Sequence, residues 1–253
     1  MKVLAAVRIH RKNVKELSSP VDLSTLKKLV LSAPSYCDQV AIAFPADDLN
    51  LTNALNAEFG AVSHISLVPV SDWGNFIPAL NALLLFAAAK NFDCILYQSV
   101  EAVATREIVD VLISHLSEDT LVVGKCFKDH RFQPPSQPLD GVTAPWNTLA
   151  IWSVKKLALT GFLLVAEGFH DVAGGVEEVS VIALLQTILP DSSKAKLIRM
   201  KQDAIGDGWI TDWTDAGRKE WHTQKMASKL SRPAAHLKLL HLTGHGIVDH
   251  IEH

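Results

Sequence analysis

Short apolar runs alternate along the chain with longer segments whose apolar residues recur every three or four positions. KVLAAVRI (2–9), QVAIAFP (39–45), HISLVPV (64–70), DCILYQS (93–99) and DTLVVGKCF (119–127) are apolar runs of strand length. Between them, DLSTLKKLVLSAP (22–34), LTNALNAEFG (51–60), FIPALNALLLFAAAKN (76–91) and TREIVDVLISHL (105–116) carry helical spacing. Pro78 falls in the first turn of the third helix, where a missing N–H is tolerated. Thr105 is placed to cap the fourth, which carries Ile108, Val111, Leu112 and His115 on one side.

This alternation predicts an α/β fold, with a mostly parallel central sheet flanked by helices in three layers. Such sheets take ligands beyond the carboxyl ends of their strands. The order therefore puts Arg8 to His10, Asp47 to Asp48 and Ser99 to Glu101 along one edge.

The second half reads differently. HRFQPPSQPLDGVTAPW (130–146) is rich in proline and turn residues and predicts a long loop. NTLAIWSV (147–154) reads as a strand and KKLALTGFLLVAEG (155–168) as a helix. AGGVEEVSVIALLQTIL (173–189) is a glycine-led turn into a helix, and KAKLIRM (194–200) a late strand. The tail from 201 carries Trp209, Trp213, Trp221 and six histidines, among them His222, His241 and His245.

Composition narrows the classes. At 253 residues the chain can bury a sizeable core as one large domain or two small ones. A net charge of −3 gives no global case for binding nucleic acid. Three widely spaced cysteines, Cys37, Cys94 and Cys126, form no CxxC pair, which argues against a zinc knuckle or disulfide scaffold and fits a reducing compartment. The first apolar run stops at Arg8, too soon for a signal peptide, and the longest apolar stretch is interrupted by Asn81 and Lys90. A soluble, cytoplasmic protein with no transmembrane segment is the expectation. No GxGxxG follows the first strand, and there is no GxxxxGK[ST] and no GxSxG, so dinucleotide, P-loop and serine-hydrolase chemistry lack their usual cradles.

Two short motifs carry the chemical reading. Ala79-Leu80-Asn81 opens a helix that leads through AAAKNFDCILYQ to Ser99-Val100-Glu101, and Gly174-Gly175-Val176-Glu177-Glu178 heads a later helix. With the order of elements, these make residues 1–200 resemble a nucleotide-diphospho-sugar transferase of the A-type glycosyltransferase fold, like the inverting family 2. Ser99-Val100-Glu101 then stands on that family's Asp-x-Asp motif in degenerate form, and the arginine of its Ala-Arg-Asn motif is absent. The resemblance implies a nucleoside-diphosphate sugar as donor and a small-molecule or glycan acceptor. Glu178 would be the general base, and Glu177 a positioning or acceptor-binding acid. It implies Asn81, Ser99, Glu101 and Asp47 on the donor side and PWNTLAIW, with Trp146 and Asn147, on the acceptor side. A divalent metal, Mg²⁺ or Mn²⁺, is the implied cofactor, held by Glu101 with His245 as a late ligand. Residues 1–200 would form the transferase-like domain. Residues 201–253 would be an extension serving as lid, packing arm or oligomer contact, with a homo-oligomer among the expected assemblies.

Each candidate also has a structural reading. Ser99 and Glu101 lie two apart on a strand and share a side, but they also suit a strand-end turn and a helix start. Glu177 and Glu178 suit a carboxylate base that takes a hydroxyl proton; acids also favour a helix N-terminus. Arg8, His10, Arg11 and Lys12 would meet a diphosphate or form a surface cluster. Asp47-Asp48 would receive ribose hydroxyls or cap a helix. His241 and His245 are four apart, but Gly244 and Gly246 oppose a helix there. Trp73 and Trp146 would stack on a sugar or base, or serve as buried anchors. The missing acid and arginine motivate a second function, a degenerate transferase fold kept as a ligand-binding or scaffolding module.

Overall fold

The structure, a computed structural model, describes residues 1–11, 19–168, 172–201 and 228–253. Among these residues, nine strands form one sheet in the order β3-β2-β1-β4-β7-β5-β8-β9-β6. These are β1 (Val3–Arg8), β2 (Gln39–Pro45), β3 (Ile65–Val70), β4 (Cys94–Gln98), β5 (Thr120–Lys125), β6 (Ser136–Pro138), β7 (Leu149–Ser153), β8 (Lys194–Arg199) and β9 (Ile247–Glu252). β3, β2, β1 and β4 run parallel, as do β5, β8 and β9. β7 is inserted antiparallel between β4 and β5, and β6 lies antiparallel on the edge beside β9.

Strand alternation sorts the core into two faces. On β1, Val3, Ala5 and Val7 join the layer built by α1 (Ser24–Ser32), α2 (Leu49–Phe59) and α4 (Arg106–Ser114). Leu4 and Ala6 join the opposite layer with α3 (Ile77–Ala89) and α6 (Glu177–Ile188). α3 is apolar nearly all round because both the sheet and further helices pack on it. The expected α/β class and three layers are what the chain adopts. Among the described residues no helix is long and apolar enough to cross a membrane.

Two sequence expectations change. The helix expected over 155–168 shrinks to α5 (Val154–Leu157) and a 3₁₀ turn at Leu164–Glu167. Gly161, at φ 63°, breaks it, and the side-chain amide of Asn81 fixes the break. The proline-rich loop contains β6. In the tail, α7 (Ser231–Leu239) packs on α6, and β9 is an inner strand between β8 and β6. Trp209, Trp213, Trp221 and His222 lie outside the described residues, as does Lys12.

Candidate active site

Parallel strands gather their carboxyl ends on one edge, and β7 adds its beginning there because it runs the other way. Gln98, the last residue of β4, pairs with Leu149, the first of β7, and Ser99 N–H donates to Thr148 O at 3.0 Å. Trp146 and Asn147 therefore arrive beside Ser99. The Gly174-Gly175 turn brings in the head of α6, with Gly175 at φ 104° and Val176 at φ 60°. That left-handed conformation disfavours a β-branched side chain, so strain is stored next to Glu177.

A cavity of about 740 Å³ opens at this edge. Arg8, His10, Ser99, Glu101, Trp146, Asn147, Glu177 and Glu178 all line it. Glu101 and Glu178, which come from distant parts of the chain, thus face one space.

The acidic pair is the electrostatic centre. Both carboxyls are buried, with Glu178 at 4% exposure. Burial first, and then repulsion from Glu177, push the Glu178 carboxyl up to about 8. The main-chain N–H of Asn147 donates to Glu178 Oε1 at 2.6 Å, and its Nδ2 donates to Glu177 Oε1 at 3.2 Å. Lys229 also draws the Glu178 carboxyl back toward ionisation. Arg8 sits among these charges. Burial lowers its proton affinity, and Glu177, Glu167, Glu178 and Glu101 oppose that; an arginine remains a cation under such conditions. Its guanidinium donates to Asn75 O at 3.1 Å and lies 5.1 Å from the centre of the Phe76 ring.

The metal assignment does not fit the donors. Ser99 Oγ donates to Glu101 Oε2 at 3.1 Å, which ties the hydroxyl to the single carboxylate. His245 is exposed in the turn before β9 and is not in the cavity lining. Among the described residues no three His, Cys, Asp or Glu side chains are grouped to hold a metal ion. One carboxylate and a hydroxyl bound to it fall short of a protein-built Mg²⁺ or Mn²⁺ site. Among the described residues, Arg8, Arg11 and Lys229 bring cationic side chains to the cavity lining.

Two further candidates sit elsewhere. Asn81 is outside the lining; its amide clamps the main chain of Phe162 on both sides, at 3.0 and 2.8 Å. Asp47 is exposed, also outside the lining. Its neighbour Asp48 caps α2 through Leu51 N–H at 3.0 Å and pairs with Arg11, which does line the cavity.

Trp146 lines the cavity without a bare face. His130 stacks on it at 3.6 Å between ring centroids, and the Lys229 ammonium lies against its ring. The two are so close to the ring centre that they must occupy opposite faces. Its Nε1–H donates to Gly141 O at 2.9 Å, which makes it an anchor. Trp73 lines the mouth beside His10, with ring centroids 5.6 Å apart.

Sequence reading missed Lys229 and Glu167. Lys229 comes from the tail, which held no strand pattern to place it. Glu167 is a buried carboxylate in the loop that replaces the expected helix. It accepts the N–H groups of Asn75, Phe76 and Ile77 at the head of α3, the last two at 2.9 and 2.8 Å. α3 lacks a side-chain cap of its own; only that absence, in FIPALN, is visible in the sequence.

The layout of this α/β fold is similar to that of several solved structures. Among these are 4-diphosphocytidyl-2C-methyl-D-erythritol synthase from Anaerococcus prevotii (12% identity, 89% of this chain and 98% of that one, TM-score 0.48) and mannose-1-phosphate geranyltransferase from Thermus thermophilus (14% identity, 76% and 69%, TM-score 0.43). A third is S. aureus TarS 1–349 (14% identity, TM-score 0.44), of which this chain covers 55% with 73% of its own length. No protein-family model matches the chain, and no curated protein does.

Proposed function

We propose that the cavity takes a nucleoside-diphosphate sugar and passes the sugar to a hydroxyl acceptor with inversion. The observation that carries this is the joint lining of one cavity by Glu101, Glu178, Arg8 and Lys229. An acceptor oxygen attacks the anomeric carbon and forms the new C–O bond. Its proton passes to the Glu178 carboxylate, and the bond from carbon to the diphosphate oxygen breaks on the other side. Charge left on the nucleoside diphosphate is met by Arg8 and Lys229 at fixed positions in a low-dielectric cavity, where they need no reorganisation.

The environment of Glu178 suits that task. A base works best when its proton affinity is close to the working pH, and burial moves Glu178 in that direction. Ser99 and Glu101 sit at the end of β4 as a hydrogen-bonded pair, placed in this reading to receive sugar hydroxyls. Calorimetric titration with UDP, GDP and their sugars, with and without Mn²⁺, tests the donor. Heat with at least one of them, and transfer to an acceptor library that E178Q abolishes, is the expected result. Silence with all of them discards the reading.

A further inference from the structure

Asn147 touches both members of the acidic pair, and it does so with two different groups. Its main-chain N–H goes to Glu178 and its side-chain NH₂ to Glu177. The third polar group, Oδ1, accepts from Trp152 Nε1 at 2.9 Å. An indole N–H can only donate, so the atom facing it has to be the amide oxygen. That contact fixes which way the amide points and leaves Nδ2 directed at Glu177. Trp152 is fully buried and packed edge-on against Phe162, 5.3 Å between centroids, so it is held in place by the core.

We propose that Asn147, oriented by Trp152, is a positioning residue that makes the two carboxyl groups unequal, so that Glu178 is the one that takes up and releases a proton. Only the acceptor's identity as the proton source rests on the transferase reading; the inequality itself stands on the hydrogen bonds. The Asn147 main-chain N–H lowers the proton affinity of Glu178, while its side-chain amide ties down the Glu177 carboxyl, whose repulsion raises that affinity. The groups facing the pair are Arg8 from β1, Tyr97 from β4, and Lys229, Arg232 and His236 from and before α7.

The relay predicts shifts of opposite sign. In N147A the Asn147 N–H on Glu178 survives, but Glu177 loses its side-chain donor. The Glu177 carboxyl is then no longer tied in place beside Glu178 and repels it less, so the midpoint of Glu178 falls by about one pH unit. N147D sets a third carboxyl against the pair and raises the midpoint. W152F frees the amide to turn and moves the midpoint down, by less than N147A.

The test is a carboxyl titration by NMR on the full chain labelled with ¹³Cδ-glutamate. The resonance that titrates highest and disappears in E178Q reports Glu178. Opposite shifts in N147A and N147D support the proposal; shifts of the same sign, or none, overturn it. N147S, which keeps one donor, replaces N147A if the latter does not fold, and its midpoint should lie between wild type and W152F. Where transfer is measurable, the acid limb of kcat/KM should follow the same midpoints. Shifted midpoints without transfer from any donor would remove the transferase reading and leave the positioning role standing. Transfer that requires Glu178, with unmoved midpoints, would do the reverse.

Discussion

Glu167 caps a helix that begins at Ile77, ninety positions earlier in the chain. Its carboxylate accepts three successive N–H groups that the first turn of α3 cannot satisfy internally. A negative charge there is also favoured by the helix dipole. Because α3 carries Phe76 under Arg8 and Leu80 and Leu83 into the cavity wall, this contact shapes the site from behind. E167A should cost about 3 kcal/mol in urea denaturation, since it leaves buried donors unpaired. E167Q keeps one acceptor oxygen but loses the charge and should cost about half as much. Equal stability of all three proteins would show that water caps the helix as well as Glu167 does.

Acid should unfold the protein from a particular residue. His130 is buried, with Nδ1 accepting from Phe127 N–H at 2.9 Å, so its Nε2–H donates to Ala144 O at 3.0 Å. Burial, and then the nearby Lys229, hold its proton affinity well below the usual histidine value of 6.5. The unfolded chain therefore binds a proton that the folded chain refuses. Stability from this group is complete above pH 6.5 and is lost as pH falls, by up to about 1.4 kcal/mol per unit. H130N, which retains an acceptor for Phe127, should start less stable and fall less steeply between pH 6.5 and 5. Parallel pH curves for the two proteins would remove His130 as the cause.

Asn81 gives a clean separation of structure from binding. Its two bonds to Phe162 replace main-chain pairing lost at the Gly161 turn. N81A should destabilise by about 2 kcal/mol while nucleoside diphosphate affinity stays within about twofold. A selective loss of affinity, at unchanged stability, would return Asn81 to the donor site.

What the sequence made legible follows from where the physics is local. Apolar runs and helical spacing located β1 to β5 and the helices between them, because each element's burial shows in its own pattern. The same period placed Ser99, Glu101, Glu177 and Glu178 at strand and helix ends, and hence at the cavity. Illegible were the contacts that join distant segments. The antiparallel run of β7 depends on the neighbours of a five-residue apolar strand, which would look the same in either direction. β9 alternates as IVDHIE, too short beside two glycines to stand out in a polar tail. Lys229, Glu167 and the Trp152–Asn147 bond follow from those placements, so no local spacing announces them. Asn81 matched a motif through its place on α3, and its side chain's bond to the main chain of Phe162, 81 residues away, leaves no local trace.

Diphosphate binding should depend on Arg8 and Lys229, two of the cations that line the cavity. On the proposed reading, R8A and K229M each lower UDP or GDP affinity about ten- to a hundredfold, the loss of one or two charge-assisted hydrogen bonds. R8K should recover only part of it, since an ammonium lacks the planar fork that pairs with two phosphate oxygens. Calorimetry at two salt concentrations checks this. Affinity unchanged in both variants would mean the phosphates lie elsewhere in the cavity.

Glu178 should set function and stability against each other. Its carboxyl titrates at about 8 in the folded chain against 4.5 unfolded. Between those values the folded state keeps a proton that the unfolded state has released, so stability is full at low pH and declines as pH rises toward 8. A glutamine keeps the acceptor for Asn147 N–H and carries no charge at any pH. E178Q should therefore match wild type near pH 4.5 and gain on it by about 1.4 kcal/mol per unit above that, while sugar transfer is lost throughout. Unfolding curves at pH 5, 6.5 and 8 decide it, because a carboxyl that ionises at no cost would leave the two proteins equally stable at all three.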